Sequence, residues 1–487
     1  MKKIYLMMLF ALSCILVNAQ AYSTSTVMSG LQYPVAFDVT SDGRFFITEK
    51  GDGSNTSSQK SRVRIYSGSG TLIGTFYELS DSTNSDGERG VLGIALDPDF
   101  NTNHFVYVYY NHLRSGDERI RIVRFTESSN VGTNPLVIFD LDVANTIPGN
   151  HVGGNLHFRP SQPGQIYFTI GDLGYNQTNA TLNFANKLNN PYGKLLRINK
   201  NGTIPTDNPF YDNGDPLTTN CDWIWSYGHR NPFDFCFGPL NDSLYCSENG
   251  LNTWDEANLI RKGAYYGWAE CEGNYLNSST TATCNIAGAV APITTWGAPV
   301  PSVTGILFYS GTVWNSLNNH LLVADNNNGK IYDCTLGNPP AYSTVTTMTV
   351  LGDFTTGGLT ALKQSSDGCV YAMDGGYTTN GKIYKICSLT TGMAEANSSA
   401  SSLHVYPNPA KTHLTIEVNA GEHKELQLQL IDIYGKTITT ENILSKPETS
   451  IISLDLRKKE VSGGIYFIEL KDTQTKQVLE SVKIVVE

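Results

Sequence analysis

The stretch "NHFVYVYY" (103–110), followed after a polar turn by "RIRIVRFTE" (119–127), decides the fold. Aromatic and β-branched residues occupy successive positions in the first strand, with no polar residue on alternate sites. A strand of this kind is buried on both faces. The same unit of turn, apolar strand, gap and second strand recurs along the chain. It appears as "DGRFFITEK" (42–50) with "SRVRIYSGSG" (61–70), and as "GQIYFTIGD" (164–172) with "GKLLRINKNG" (193–202). It continues as "DSLYCSENG" (242–250) with "DEANLI" (255–260), as "NNHLLVADNNNGKIYDCTL" (318–336), and as "DGCVYAMDGG" (367–376) with "GKIYKIC" (381–387). These six units start at intervals too long for a solenoid and suited to four-stranded blades with inserted loops, which predicts a six-bladed β-propeller. A stack of several small sandwich domains is the alternative.

The pattern stops near Leu389. The following "TTGMAEANSSASS" is small, polar and free of aromatics, and reads as a linker. From Leu403 onwards "LHVYPNPAKTHLTIEV", "LQLQLIDIYGKTI", "SIISLDL", "GIYFIELKD" and "QVLESVKIVVE" are period-two strands at regular spacing, which fits a small β-sandwich. The expected organisation is therefore all-β: a leader at 1–20, a propeller at 21–390, a linker at 391–402 and a sandwich at 403–487.

Bulk properties agree. A chain of 487 residues is long enough for two or three domains, and 16% charged with 10% aromatic residues is the balance of a folded, strand-rich protein. The formal net charge of -11, with no run of Lys and Arg, argues against nucleic acid as a partner. Residues 1–20, "MKKIYLMMLFALSCILVNAQ", have two lysines, a short apolar stretch and a small-residue exit, the pattern of a secretory signal peptide. Cys14 lies inside the apolar stretch with more apolar residues behind it, which disfavours lipid attachment there. No later segment has the ~18 uninterrupted apolar residues that a membrane helix needs. Setting Cys14 aside, the other eight of nine cysteines in an exported chain point to disulfides. Cys236 with Cys246, and Cys369 with Cys387, each flank a turn and could bridge neighbouring strands, whereas the spacings lack the close pairs of a zinc site.

In a propeller, loops at one end of the ring converge over the central channel, so residues distant in sequence meet there. "IPGNHVGGNLHFRP" (147–160) belongs at that end: a proline fixes the turn, and Gly153 and Gly154 let backbone approach a ligand beside His151. A histidine so placed can take a proton from a bound hydroxyl near neutral pH. "YFTIGDLGYNQ" sets Asp172 at a strand end, and "WSYGHRNPF" sets Arg230 and Asn231 in a turn. "SENGLNTWDEANLIRKGAYYGW" supplies carbonyl, carboxylate and tyrosyl oxygens. A hydrolase using Asp255 and Glu256 is disfavoured, because adjacent strand residues point to opposite faces and cannot flank one bond.

Taken in order, these segments resemble the pyrroloquinoline quinone-dependent soluble glucose and aldose sugar dehydrogenases, from about Tyr33 to Cys387. "DGERGVLGIALDPDF" (86–100), "GKLLRINKNGTIPTDNPF" (193–210) and "SSDGCVYAMD" (365–374) also carry the likeness. Separately, "YPNPA" (406–410), "YGK" (434–436) and "GIYFIEL" (464–470) resemble the C-terminal sorting domains of proteins exported by type IX secretion systems. That likeness implies passage across the outer membrane, then release or surface attachment, and no catalytic role for the C-terminal domain. A generic carbohydrate-binding or adhesive sandwich is the alternative.

The dehydrogenase resemblance implies roles. His151 matches the general base that takes the proton of a sugar's anomeric hydroxyl while hydride passes to the quinone, and Asp172 matches the residue that supports it. Arg230 and Asn231 match groups that bind the quinone's oxygens. The carbonyls of Gly250 and Leu251 match ligands of the calcium ion that polarises it, and Glu256 and Tyr266 match ligands of a further, structural calcium. Carbonyl and carboxylate oxygens are what calcium takes. The chain also departs from the pattern. Glu88 stands at the cofactor position where the family has a glutamine, with Arg89 beside it. Asparagines 326–328 replace an expected lysine, and "TTGGLTALKQSSDG" lacks the expected arginines. The quinone carries three carboxylates, so these losses weaken its binding unless other cations serve. The expected activity is oxidation of an aldose or similar sugar to a lactone by a secreted or surface-attached enzyme. The alternative is a propeller without cofactor that binds a glycan or protein, as hedgehog-interacting proteins do.

Overall fold

The structure is a computed structural model. It describes residues 22–52, 60–143, 149–217, 219–239, 242–311, 313–354, 357–389, 402–419, 425–432, 436–444, 450–459, 461–473 and 478–487. The expected leader and nearly all of the expected linker lie outside these residues. The chain divides into two compact units, Met1–Ser388 and Leu389–Glu487.

The first unit contains six four-stranded antiparallel sheets, one for each repeat unit read in the sequence. Five are built from consecutive strands whose first members are Pro34–Val39, Val91–Leu96, Leu156–Arg159, Asn231–Phe237 and Val303–Tyr309; these are blades 1 to 5. Blade 6 takes Leu359–Gln364, Val370–Asp374 and Gly381–Ser388 from the end of the unit and Tyr22–Leu31 from its beginning. The sequence pattern did not show this closing strand, because "YSTSTVMSGL" is polar along most of its length. Its pairing from Tyr22 opposite Ser388 to Leu31 opposite Gly381 joins the two ends of the unit. The first strand of every blade touches the next blade, and blade 6 touches blade 1, so the ring is closed.

The quoted strand now has its explanation. Phe105–Arg114 is the second strand of blade 2. Val106, Val108 and Tyr110 pack into a core shared with Ala36, Phe46 and Phe76 of blade 1, whereas Tyr107 and Tyr109 pack into a core shared with Leu156, Ile166 and Phe168 of blade 3. Alternate side chains thus face opposite neighbours, and both neighbours are apolar. Each of the six gaps between blades is filled by its own apolar cluster. Burying one aliphatic or phenylalanine side chain in such a gap contributes roughly 1.5–3 kcal/mol. The blades are held face to face by these clusters.

Cysteine pairing corrects one expectation. Cys369 and Cys387 are bridged within blade 6, but Cys236 and Cys246 are free. Cys236 sits opposite Tyr245, and Cys246 opposite Phe235, so strand alternation turns the two thiols to opposite faces of the sheet. The second bridge joins Cys271 and Cys284 inside an insertion of blade 4, between Trp254–Ile260 and Thr294–Gly297.

The second unit has a three-stranded and a four-stranded antiparallel sheet. Leu414, Ile416 and Val418 of the first meet Leu426, Leu428, Ile468 and Leu470 of the second in one core, which makes it a β-sandwich. Among the described residues no helix is long and apolar enough to cross a membrane.

Candidate functional site

The second strands of the blades end at the same rim of the ring in polar residues. Lys50 follows Phe45–Glu49, Asp172 lies just past Gln162–Ile170, Asn249 ends Leu244–Asn249, and Asn326 follows His320–Asp325. At this rim two cavities share Glu88, Asn231, Asn249 and Ser302 and form one cleft. His151, Arg230, Gly250, Leu251 and Asp255 line one part, and Lys50, Phe233 and Tyr377 line the other.

His151 is held in the left-handed backbone region at φ 54°, and its N–H donates to Glu88 Oε2 at 2.6 Å. Close packing here needs glycine. A Cβ on Gly171 would lie 2.2 Å from the His151 carbonyl oxygen and 2.8 Å from that of Arg230, so the chain after the strand passes between the two site loops only without a side chain. The imidazole Nδ1 lies 2.6 Å from Asp172 Oδ1. Asp172 is fully buried and accepts four hydrogen bonds. Oδ1 takes those of His151 Nδ1 and the Gly174 N–H, and Oδ2 those of Asn183 Nδ2 at 3.1 Å and Trp268 Nε1 at 2.7 Å. Because a carboxylate only accepts, Nδ1 of His151 is the donor to Asp172, and Nε2 is the ring nitrogen outside that bond.

Arg230 is buried. Its Nε donates to Gln177 Oε1 at 2.9 Å and its Nη1 to the Asn249 carbonyl at 3.0 Å, and its guanidinium lies 5.6 Å from the centre of the Trp268 ring. Among the described residues Nη2 has no protein partner. Asn249 Nδ2 donates to the Val303 carbonyl at 2.7 Å, and Asn231 Nδ2 reaches Asn249 Oδ1 at 3.4 Å. Asp255 takes the Gly250 N–H on Oδ1 and the Val303 N–H on Oδ2. Burial still pushes its carboxyl up to about 6. Among the described residues neither the Gly250 nor the Leu251 carbonyl accepts a hydrogen bond. Lys50, on the far side, gives its ammonium to the carbonyls of Ser85, Gly87 and Arg89 at 2.9–3.2 Å, and stands 5.3 Å from the centre of the Tyr377 ring.

Seven of the expected site residues therefore meet: six line the cleft, and Asp172 lies behind His151. Glu256 and Tyr266 stand elsewhere. Glu256 is on the opposite face of its strand from Asp255, opposite Glu248, and burial together with Glu248 holds its carboxyl well above the usual range. The Tyr266 hydroxyl donates to the Leu259 carbonyl and accepts from the Arg261 N–H, and its ring stacks on His229. Among the described residues no cluster of three or more His, Cys, Asp or Glu side chains is arranged to hold a metal ion. Sequence reasoning missed Lys50, Asn249 and Trp268. The first two carry a readable signal, the polar residue ending each blade's second strand at one rim; Trp268 sits in an insertion with no repeat to mark it.

Residues 31–385 match the sequence model of the Glucose / Sorbosone dehydrogenase family. The chain belongs to that family. Residues 404–487 match the Secretion system C-terminal sorting domain. Quinoprotein glucose dehydrogenase B of Acinetobacter calcoaceticus is 32% identical over 293 residues, covering 56% of this chain and 57% of its own length. Aldose sugar dehydrogenase YliI of Escherichia coli is 31% identical over 233 residues, covering 46% and 58%. The mouse Hedgehog-interacting protein is 28% identical over 275 residues, covering 49% and 36%. The chain thus spans little more than half the length of the curated dehydrogenases it matches. Among solved structures, the soluble aldose sugar dehydrogenase of Escherichia coli in the apo form aligns at TM-score 0.61 and 22% identity over 75% of this chain and 99% of that one. The PQQ-bound form of aldose sugar dehydrogenase from Streptomyces coelicolor aligns at TM-score 0.59 and 21% identity over 76% and 99%. These likenesses show the fold, a β-propeller.

Proposed function

We propose that this family member is an exported quinoprotein oxidoreductase that oxidises the hydroxyl of an aldose or similar sugar to a lactone, with His151 as general base. The observation that carries this reading is the His151–Asp172 pair at 2.6 Å, set in one cleft with Arg230, Asn231, Gly250 and Leu251. The residues present fit the cofactors. Arg230 keeps Nη2 for an anionic or carbonyl oxygen, and the Gly250 and Leu251 carbonyls are acceptors without donors, as a calcium ion requires. When bound, pyrroloquinoline quinone supplies the hydride acceptor and calcium the Lewis acid that makes its carbonyl carbon more electrophilic.

The chain's own residues do the rest. Asp172 fixes the imidazole so that Nε2 takes the proton of the sugar hydroxyl, and its carboxylate then faces the imidazolium. Glu88 holds the backbone of His151 in its left-handed turn. The Glu88 side chain stands where an anionic cofactor would come, and Lys50 and Arg230 both lie near it and offset negative charge there. Glu256 and the chain at Tyr266 would serve a separate structural calcium. The orphaned Asn258 Oδ1 and the crowded Glu248–Glu256 pair are the observations there that suit a cation. The sorting domain supports export through the type IX machinery to the cell surface or medium.

The second reading, a propeller that binds a glycan or protein without cofactor, is favoured by one observation. Asn326, Asn327, Thr304 and Thr360 line the cleft where the family pattern places cations. Titration of the full chain with pyrroloquinoline quinone and calcium, followed by absorbance and then by bleaching on addition of aldoses, separates the two. Saturable binding with sugar-dependent reduction, lost in His151→Ala, is expected. Absence of binding at micromolar quinone would sink the dehydrogenase reading.

A further inference from the structure

We propose that Trp268, carried by the disulfide-stapled insertion of blade 4, is a positioning residue that ties the His151–Asp172 pair and the Arg230 guanidinium to a single indole ring. The two functions lie on two different parts of that ring. Its edge donates Nε1–H to Asp172 Oδ2 at 2.7 Å, and its ring supports the guanidinium at 5.6 Å. An indole is a donor only, so it holds a carboxylate oxygen without competing for the imidazole proton, and its π system attracts a cation. Trp268 is buried and packs with Ala185, Ala269 and Leu251, the last a wall of the cleft.

The ring is itself held from both sides. Its backbone N–H donates to the Gly228 carbonyl, two residues before Arg230. Three residues on, Cys271 is bridged to Cys284 and pairs in a short hairpin with Leu276. From that hairpin Asn277 Nδ2 donates to the carbonyls of Ala269 and Gln177, and Gln177 Oε1 accepts from Arg230 Nε. Arg230 is thereby reached twice by the insertion, once through the Trp268 ring and once through Asn277 and Gln177. Asp172 is reached once, through the indole N–H. A change in the insertion alters both the proton acceptor and the anion-binding group, although neither belongs to it.

The turnover part of the test rests on the dehydrogenase reading; the quinone-free part does not. Trp268→Phe keeps a ring under Arg230 and deletes the donor to Asp172, whereas Trp268→Leu deletes both. In the full chain without cofactor, the His151 Nδ1–H proton resonance, assigned by its absence in His151→Ala, is expected to shift in both variants. With calcium and quinone, Trp268→Phe is expected to bind quinone within about threefold of the parent while kcat falls about tenfold, the size of one lost bond to a charged acceptor. Trp268→Leu is expected to lose about tenfold in quinone affinity as well. Asn277→Ala, a partly exposed position that tolerates substitution if the buried tryptophan does not, is expected to weaken quinone binding about threefold with the Nδ1–H resonance unmoved. An unshifted resonance in Trp268→Phe, or equal losses of quinone affinity in Phe and Leu variants, overturns the proposal. Unchanged affinity in Asn277→Ala overturns the arm through Gln177. If the parent binds no quinone, the dehydrogenase reading fails, and the resonance alone decides whether Trp268 positions His151.

Discussion

The two halves of the cleft are built differently. On the side of blades 3 and 4, His151, Asp172, Arg230 and Asn249 are buried and joined by hydrogen bonds of 2.6–3.1 Å through Asn183, Gln177 and Trp268. On the side of blades 5, 6 and 1, the lining is Ser302, Thr304, Asn326, Thr360, Gly376 and Tyr377, with Lys50 the cation among the residues that line it. If the chain is the dehydrogenase proposed above, the first half is preorganised for moving a proton, and the second offers neutral hydrogen-bond groups where a tricarboxylate would need positive charge. On the proposed reading, proton removal belongs to the blade 3 and 4 side alone, whereas the cofactor is held from both sides, by Arg230, Asn231 and the Gly250 and Leu251 carbonyls there and by Lys50 across the cleft, so the base can be lost without the cofactor.

The largest expected effect breaks the first half. His151→Ala removes the proton acceptor while leaving the interblade cores untouched, and sugar-dependent quinone reduction is expected to fall about 10²–10⁴-fold, the usual worth of a general base. Quinone affinity should change by no more than a few fold. Stopped-flow bleaching of the bound quinone checks the first quantity and an absorbance titration the second. Equal losses in both would mean that proton removal and cofactor affinity are not separable.

Arg230→Lys is the next in size. A lysine cannot reproduce the fork that bonds Gln177 and the Asn249 carbonyl together, and a buried ammonium would leave one of them without a partner. Quinone affinity is expected to drop about ten- to hundredfold. The thermal midpoint should fall as well.

Much of this was legible beforehand, and the reasons are physical. Doubly buried strands such as "VYVYY" announce a ring of sheets because few other β architectures cover both faces, and all six units land in separate blades. The closing strand Tyr22–Leu31 was not legible, since an outermost strand is half solvent-exposed and needs little apolar content. His151, Asp172, Arg230 and Asn231 were legible as candidates through the glycine and proline marks around them and through the family resemblance, and they meet at one cleft. Lys50 was hidden by its strand: "FFITEK" reads as an ordinary strand ending in surface charge, yet the lysine is buried at the cleft. Trp268 was hidden because its partners, Asp172 and Gly228, are far from it in sequence and near it only through the insertion. The Cys236–Cys246 error has the same origin as the correct Cys369–Cys387 pair: flanking a turn is necessary for a hairpin bridge, but register decides the face, and register is not written in the turn.

A gain of function sharpens the comparison from the other side. Asn326→Lys places a cation in the neutral half, at a half-buried position whose amide donates to the Leu359 carbonyl, a bond that a lysine can keep. Quinone binding is expected to tighten about three- to tenfold, with kcat unchanged, if the missing charge is what limits affinity. Affinity that stays flat would show that Lys50 and the bound calcium already neutralise the cofactor, and that the neutral half is no deficit.

The smallest effect concerns Lys50 itself. Burial pushes its ammonium down to about 8, with the carboxylates of Asp86, Glu88 and Asp52 acting against that shift. An unfolded lysine titrates near ~10.4. Between about pH 8 and 10 the unfolded chain therefore binds more protons than the folded one, and this group makes the stability of the propeller rise with pH. Below about pH 8 both states are charged, and the full cost of burying the ammonium stands. In Lys50→Met that rise disappears, and the carbonyls of Ser85, Gly87 and Arg89 lose their donor, which costs roughly 1–3 kcal/mol if water does not replace it. The gap in unfolding free energy between parent and variant should thus widen from pH 7 to pH 10. The same three carbonyls belong to the loop whose Glu88 holds the backbone of His151, so the variant should also loosen the proton-accepting half. A gap independent of pH would mean that Lys50 is charged throughout.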